Sequence, residues 1–312
     1  MNDEGITVLS ICDGAAIGRE ALKSLNIKVK NYFAYEIKKT AILCATENHD
    51  DIIHLGDVTK ADYKNGMLYH ENGSIEVPKV DLIIGGTPCQ DFSIAQMMGG
   101  LLVENREKRK GLDGIKSVLF YKYLELKNKT NAAYFFLENV KMKKEAEKEL
   151  NDYMGVNALH INSKLVTFQS RPRLYWTNIP FATIPTDRHI NYQYYKDTDF
   201  DYCSKFKVNK TPSRIKMWND GNGRTDMKSC NNVTNSEKIG CLTRKQDRAP
   251  NSGLIEFDGF CRYLTTRELE LAQGVPIGYT KMLTKNQSED ILGDGWTLPI
   301  IVHLMSGLKK IF

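Results

Sequence analysis

The chain has 312 residues, of which 41% are hydrophobic and 26% charged, and its formal net charge is +5. This composition predicts a globular protein with one large core and a smaller second unit. Because no stretch approaches the roughly 18 consecutive apolar residues of a membrane span, and the start MNDEGITVLSI has no basic leader region, we expect a soluble protein that is cytoplasmic or nucleoid-associated.

The first strand-like run, Ile6 to Cys12, leads into a small-residue turn from Asp13 to Gly18 and then a helix from Arg19 to Leu25. Such a turn lets the backbone approach a ligand, and the helix amino terminus can hold an anionic group. The next strands, Tyr32 to Tyr35 and Ile52 to Leu55, end near Glu36 and Asp57. Carboxylates at successive strand ends favour a nucleoside-sized pocket, although each alone could be an ordinary loop acid.

A possible reactive loop follows the fourth buried strand. Met67 to Val77 predicts a surface hairpin around Asn72-Gly73, and the buried strand then runs from Val80 to Ile84. The pair Gly85-Gly86 would let the next loop approach a ligand closely. That loop contains Pro88, Cys89, Gln90 and Ser93. A lone cysteine there is by default a small buried hydrophobe, so its neighbours must decide its role.

Further alternation of helix and strand follows. Gly99 to Lys110 predicts a mobile loop, and Leu112 to Leu126 a helix with one buried face. A strand from Ala132 to Leu137 ends at Glu138, and a charged helix continues to Tyr153. Two strand-like segments follow, 158–161 and 165–168. Because Pro172 prevents a helix, we expect Arg171 and Arg173 to lie in an extended strand and project to the same side.

Positive charge is concentrated in the second half. Between Phe181 and Ile255 there are 13 Lys/Arg and 8 Asp/Glu, a difference of +5 that equals the whole net charge. Basic residues interleaved with Tyr202, Phe206 and Trp218 favour a phosphate track, and a merely solvated surface is the alternative. The basic residues concerned are Lys205, Lys207, Lys210, Arg214 and Lys216, with Arg244 further along.

The cysteines and the carboxyl-terminal part complete the pattern. Seven cysteines without a C-x-x-C pair predict reduced thiols, and we expect no metal. Thr265 or Thr266 caps a helix, and the apolar run Leu298 to Ile311 is expected to pack back against the first domain. We therefore predict an α/β fold with a Rossmann-like, doubly wound, mostly parallel sheet. The expected division is 1–179, an inserted region at 180–258, and a return at 259–312.

Several motifs together resemble the DNA (cytosine-5)-methyltransferases. They are GG-T-PCQ-x-FS, then ENV, then Q-x-R-x-R, in that family's order. RKGLDGIKSVLFYKYLEL and LGDGWTLPIIVHLMSGLKKIF look closest to its de novo animal branch. The resemblance implies a class I methyltransferase fold whose residues 1–179 bind S-adenosylmethionine as methyl donor, with a target-recognition region at 180–258. It also implies double-stranded DNA as partner and a role in DNA methylation such as restriction-modification. The oligomeric state stays open, with a monomer favoured.

The resemblance assigns the donor site and the catalytic residues. The cofactor residues would be Asp13, Gly14, Ala15, Ile17, Gly18, Glu36, Ile37, Asp57, Val58, Gly86, Pro88 and Trp296. Ile17 and the run Gly293 to Trp296 depart from the family pattern, so the detailed donor contacts there differ. Cys89 would add to carbon 6 of cytosine, and Glu138 would neutralise the ring nitrogen.

Arg171 and Arg173 would position the base and the Cys89 loop, or alternatively pair with phosphate and Glu138. The resemblance also implies base flipping, and Gln90, Ser93 and the basic residues of the second half would contact DNA. Two alternatives remain open: cytosine-5 methylation of a structured RNA such as tRNA, and a catalytically silent nucleic-acid-binding relative.

Overall fold

The computed structural model describes residues 5–87, 118–209, 211–212, 232–243, 246 and 251–312. Several sequence predictions lie outside these residues. They are the loop at 99–110 and the roles of Pro88, Cys89, Gln90, Ser93, Lys210, Arg214, Lys216 and Arg244. The roles of these residues therefore stay predictions from the sequence.

The chain packs as two compact units, and each is built from discontinuous segments. The first unit comprises the residues up to Ile161, then Pro172–Ile184 and Ile301–Phe312. The second comprises Asn162–Arg171 and Pro185–Ile300. The expected functional division at 180 and 259 stays a prediction, because packing boundaries do not report which residues recognise a target.

A seven-stranded sheet forms the centre of the first unit. Its spatial order is β3-β2-β1-β7-β8-β10-β9, so the chain begins in the middle and winds outward in both directions. The pairings β2–β3, β1–β2, β1–β7 and β7–β8 are parallel, and β8–β10 is antiparallel. The strands, including three outside this sheet, are β1 (Ile6–Ile11), β2 (Val29–Tyr35), β3 (Ile52–His54), β4 (Asp62–Lys64), β5 (Met67–His70), β6 (Gly73–Glu76), β7 (Leu82–Gly86), β8 (Tyr134–Val140), β9 (Leu159–Asn162) and β10 (Pro172–Thr177).

Both faces of the central strands are buried, which explains their continuous apolar sequences. Every residue of β1 is buried, as are Leu82, Ile83 and Ile84 of β7. Gly85 is required by packing, because a Cβ there would stand 2.7 Å from the Tyr123 ring. The helices of this unit are α1 (Ile17–Ser24), α2 (Lys39–Asn48), α3 (Val118–Thr130 in the described part) and α4 (Lys144–Met154).

The predicted hairpin is part of a three-stranded antiparallel sheet, β4-β5-β6. His70 pairs with Gly73, so Glu71 and Asn72 form the turn and Gly73 opens β6 with φ 143°. The sequence prediction of a hairpin is therefore confirmed, with the turn one residue earlier than Asn72-Gly73. A partner strand at Asp62–Lys64 was not predicted, because three residues are too short for a pattern.

The second unit contains α5 (Phe200–Ser204), the β-ribbon β11 (Ile255–Phe257) with β12 (Phe260–Arg262), and two capped helices, α6 (Thr266–Gln273) and α7 (Lys285–Asp294). The predicted strand at 165–168 is wrong: Ser163–Leu165 is a 3₁₀ turn, and the following residues make no ladder. The apolar sequence there is buried without strand pairing, since Val166 and Phe168 are both core residues.

A last helix, α8 (Leu298–Met305), begins in the second unit and ends in the first. Within the described residues, 285–310 is the stretch whose length and composition would allow a membrane crossing. However, 61% of its most apolar window is buried in protein, and Gly295 ends α7 before α8 begins. This stretch is therefore accounted for by packing in a folded core.

Candidate active site

The loop between β1 and α1 has an unusual backbone. Cys12, Gly14 and Ala16 have positive φ angles of 55°, 62° and 58°. Alternation of this kind curls the backbone into a concavity, and the N–H groups of Asp13, Gly14 and Ala16 are bonded to Tyr35 O, Glu36 Oε2 and Asp13 O. A Cβ added at Gly14 would meet nothing within 4 Å, so the loop borders open space. The strained conformation of two non-glycine residues is typical of a functional loop.

Glu36, directly after β2, organises the edge of this concavity. Its Oε2 accepts the Gly14 N–H at 2.8 Å, and its Oε1 accepts the N–H groups of Ile37 and Lys38 at 2.9 and 2.8 Å. The predicted proximity of the ends of β1 and β2 is thus observed. Ile37 is 69% exposed although it is apolar, which leaves its side chain available to a ligand.

Asp13 carries an unsatisfied polar atom in a largely buried position. Its Oδ1 accepts hydrogen bonds from Ser10 Oγ at 2.5 Å and Tyr32 OH at 2.7 Å. Its Oδ2 is shielded from solvent and has no hydrogen-bond partner among the described residues. Burial raises the pKa of Asp13 to about 6, against the lowering effect of the two hydroxyls and with a smaller rise from Glu36.

The neighbouring Cys12 is not a nucleophile candidate. Burial, then the carboxylates of Glu36, Asp13 and Asp57, raises the pKa of its thiol to about 12. A thiol with that pKa stays protonated and unreactive at neutral pH. This electrostatic cause also places Asp57 near the same loop, as the strand-end pattern predicted.

The remaining residues predicted at the donor site have varied surroundings. Asp57 caps a short 3₁₀ turn, where its Oδ1 accepts the Thr59 N–H at 2.8 Å. Ala15, Ile17, Gly18 and Val58 are buried. Their contact with a donor stays a prediction from the resemblance. Trp296 is half-buried in the second unit, between α7 and α8.

The second part of the site lies on β7, β8 and β10. Gly86 pairs with Glu138 across β7 and β8, and Glu138 pairs with Tyr175 across β8 and β10. Glu138 therefore lies within a strand that continues to Val140, which agrees with a predicted strand ending in Glu138-Asn139-Val140. In this register Glu138 lies beside Gly86 at the end of β7, and Cys89 follows Gly86 by three residues in the sequence.

Arg173 holds the Glu138 side chain. Its Nε lies 3.0 Å from Glu138 Oε1, and both side chains are close to 12% exposed. A half-buried guanidinium and carboxylate at this distance form a charge-assisted hydrogen bond that fixes both. Of the roles expected for Arg173, the pairing with Glu138 is observed.

Arg171 differs from the prediction. It precedes β10, which starts at Pro172, so it does not lie in the strand with Arg173. It is 4% exposed and belongs to the second unit. Its Nη1 donates to Leu242 O and Cys241 Sγ, and its Nη2 donates to Gly293 O and Gly295 O, at 3.0 to 3.3 Å. The observed contacts hold main-chain segments of the second unit together, and a part in the reaction stays a prediction.

Cations of the second unit lie over aromatic rings. Lys205 Nζ lies 5.9 Å from the Tyr202 ring centre, and Lys207 Nζ lies 5.4 Å from that of Phe260. The sequence analysis missed two further pairs of a cation and an aromatic ring, Arg267 over Tyr202 at 4.1 Å and Lys285 over Phe206 at 4.9 Å. No local signal marks them, because they are about 60 to 80 residues away along the chain. Among the described residues, no group of His, Cys, Asp and Glu could hold a metal ion.

The mostly parallel sheet with an antiparallel β10, and the ligand-facing loops at the ends of its strands, define a class I methyltransferase fold. Superposition on solved structures agrees: the S. pombe Dnmt2 methyltransferase matches with a TM-score of 0.69 and 17% identity, over 98% of this chain and 99% of that one. At this identity the likeness establishes the fold alone.

The particular family follows from the sequence comparisons. Residues 6–165 match the model of the C-5 cytosine-specific DNA methylase family, and the chain belongs to that family. It is 31% identical over 138 residues to the orphan methyltransferase M.Rho11sI of Bacillus phage rho11s, and 34% identical over 121 residues to the type II methyltransferase M1.ScrFI of Lactococcus lactis subsp. cremoris. These matches cover 44% and 39% of this chain but only 23% and 25% of those proteins.

Proposed function

We propose that this protein transfers a methyl group from S-adenosylmethionine to carbon 5 of cytosine in duplex DNA, through a covalent cysteine adduct and base flipping. The observation that carries the proposal is the Glu138–Arg173 pair beside Gly86, on the strand that leads in the sequence to Cys89. Family membership supports it independently, through residues 6–165.

The loop after β1 fits the donor. Asp13 Oδ2 is an unsatisfied acceptor for a cationic group, and the positive φ angle of Gly14 with open space beside it lets the backbone approach a ligand closely. Glu36 and Asp57 offer oxygens to ribose hydroxyls and to a base, and Ile37 offers an exposed apolar surface. When bound, S-adenosylmethionine supplies the methyl group. Gly86 and Trp296 stay candidates from the resemblance.

The acceptor chemistry assigns one role to each residue. The Cys89 sulfur forms a bond to carbon 6 of the ring, which makes carbon 5 nucleophilic. Glu138 donates a hydrogen bond or proton to the ring nitrogen on which negative charge develops. Arg173 keeps the Glu138 carboxyl in place. Once carbon 5 has gained the methyl group, its proton passes to water or hydroxide, the bond from carbon 6 to sulfur breaks, and the cysteine thiolate leaves as the aromatic ring is restored.

Methyl transfer to matched nucleic acids tests the proposal. The chain is incubated with labelled donor and either a cytosine-containing duplex DNA or a structured RNA of the same sequence. We expect label in the duplex, at carbon 5 of cytosine, and none with Cys89→Ser, whose donor binding should be nearly unchanged. Cys241→Ser is the control, because Cys241 is a half-buried cysteine without a proposed role in the chemistry.

Three results would count against the proposal. Label in the RNA alone would favour RNA methylation. Donor and DNA binding without transfer would favour a silent relative. Appreciable turnover by Cys89→Ser would reject the assignment of the nucleophile.

A further inference from the structure

The carboxyl ends of the parallel strands are divided by charge. After β1, β2 and β3 the chain places acids: Asp13, Glu36 and Asp57. After β8, which lies beside β7 on the side away from β1, the chain places Lys141, Lys143 and Lys144. Because parallel strands end at the same edge of a sheet, these acids lie at one half of this edge, together with Lys38 and Lys39 after β2, and the three lysines lie at the other half.

The lysines are held outward by the chain around them. Val140 pairs with Arg173 in the sheet, and Met142 is 2% exposed within the main core. These two anchors leave Lys141 and Lys143 exposed on either side of Met142, and Lys144 exposed at the start of α4. The surface formed by Lys141, Lys143 and Lys144, here named the β8 lysine surface, is therefore fixed in place by the fold.

The β8 lysine surface has no internal counter-charge. Residues 139–144 contain three lysines and no acid, and none of the three lysines has a carboxylate within ion-pair distance in the part of the chain that the structure describes. Among the nearby acids, Glu138 pairs with Arg173 and Glu147 with His160 at 2.6 Å. Glu145 follows Lys144 directly and is exposed on the first turn of α4, and it is not within ion-pair distance of the three lysines in the described structure. The positive charge is thus available to an external anion.

Its position relates this surface to the acceptor site. Lys141 follows Glu138 by three residues, a span of at most about 10 Å along an extended chain. A nucleotide that is rotated out of a duplex keeps its backbone, so its flanking phosphates stay within a few nucleotides of the target base. Long lysine side chains bind such phosphates as mobile point charges.

We propose that the β8 lysine surface binds the phosphates of the DNA strand next to the target cytosine, so that the first unit itself contacts duplex DNA. This inference rests on the proposed function, and it adds a binding surface outside the basic region of the second unit. The acidic half of the sheet edge then receives the cationic donor, and the basic half receives the polyanion.

The salt dependence of duplex binding tests this inference. The affinity of the full chain for a labelled cytosine-containing duplex is measured over a range of salt concentrations. Each phosphate contact contributes about 0.9 to the slope of log K against log salt. We expect the slope of Lys141→Gln/Lys143→Gln/Lys144→Gln to be shallower than that of the unsubstituted chain by roughly 2 to 3. Donor binding should stay unchanged.

Two variants serve as controls. Lys23→Gln/Lys64→Gln/Lys309→Gln removes the same charge from exposed lysines elsewhere in the first unit and should leave the slope unchanged. Lys141→Arg/Lys143→Arg/Lys144→Arg keeps the charge and should have the same slope as the unsubstituted chain. A slope that depends on the charge, and not on a structural defect from substitution, would be preserved in this variant.

Other outcomes separate this inference from the proposed function. If the chain methylates duplex DNA but the two Gln variants have equal slopes, the β8 lysine surface is not a phosphate site and only this inference fails. If the unsubstituted chain neither binds nor methylates the duplex, or if the slope changes only with RNA, the inference is overturned together with the DNA substrate.

Discussion

Asp13 combines a satisfied oxygen with an unsatisfied one. Ser10 and Tyr32 donate to Oδ1, while the shielded Oδ2 has no partner among the described residues. Leaving a buried acceptor unpaired costs stability, and such costs are commonly retained where a ligand supplies the missing partner. In the ligand-free protein, this carboxyl group is therefore expected to favour binding of a cationic donor at the expense of stability.

Asp13→Asn should change the pH dependence of stability. The pKa of this carboxyl is raised from 3.8 to about 6 in the folded protein, so between about pH 4 and 6 the folded state binds more protons than the unfolded state. The free energy of unfolding should therefore fall as pH rises through this interval, by up to about 3 kcal/mol, and be level above it. Urea unfolding at several pH values should show this slope in the unsubstituted chain and lose it in Asp13→Asn.

The same variant should weaken donor binding at least about tenfold at pH 7.5, because the amide cannot supply the negative charge. Asp50→Asn, at an exposed position, is the control and should preserve both the pH slope and the affinity. An unchanged donor affinity in Asp13→Asn would mean that Oδ2 does not face the donor.

Arg173→Gln should separate chemistry from donor binding. Removing the guanidinium leaves the half-buried Glu138 carboxyl without its 3.0 Å partner. We expect stability to fall by about 1–3 kcal/mol, and kcat to fall by roughly ten- to a hundredfold. Donor binding should not change, because Arg173 lies on β10 and not at the ends of β1 to β3. Arg173→Lys should recover part of kcat, whereas equal losses in both variants would argue against an orienting role.

Among the helices, α6 and α7 provide a matched pair of caps. Thr265 caps α6 with Glu268, and Thr284 caps α7 with Gln287, each in a reciprocal capping box. The first box is fully buried, and Glu268 also pairs with Arg262 at 2.7 Å, whereas Thr284 is exposed. A buried donor that loses its partner cannot turn to water.

Thr265→Ala should therefore cost more than Thr284→Ala. We expect about 2 kcal/mol for the buried cap and about 0.5–1 kcal/mol for the exposed one, measured by urea unfolding. Equal losses would mean that the surrounding network of Glu268 compensates at the buried site.

These elements also mark how far sequence reasoning reaches. The strands β1, β2, β7 and β8 were predicted because buried parallel strands give uninterrupted apolar runs, and the α6 cap because its motif is local. Val166 and Phe168 belong to a similar apolar run that predicted a strand, but they form none, since burial alone does not specify strand pairing. Arg171 and Arg173 share a motif but lie in different packing units, which two residues of sequence cannot reveal. The hydroxyls on Asp13 come from separate strands, so only the fold brings them together.

At the scale of the whole molecule, the first unit depends on residues from the carboxyl-terminal part of the chain. Leu304, Met305 and Leu308 are fully buried, and they belong to the same unit as β1 to β8. Deleting residues 301–312 should therefore remove part of that core. We expect a chain ending at Ile300 to lose donor binding and its cooperative thermal transition.

A chain ending at Lys310 is the control for this truncation. It lacks only Ile311 and Phe312, which are 38% and 40% exposed, and it should keep both properties. A stable, donor-binding chain that ends at Ile300 would show that the first unit does not require this segment.

The three-part construction of the first unit sets the order of events during synthesis. A ribosome produces β1 to β8 well before residues 301–308, and domains usually fold once their last segment has emerged. Nascent chains therefore lack the buried side chains of Leu304, Met305 and Leu308 until at least residue 308 has left the exit tunnel. A stop codon before residue 301 should accordingly yield an aggregation-prone fragment that chaperones and proteases handle, because Leu304, Met305 and Leu308 are then missing from the first unit.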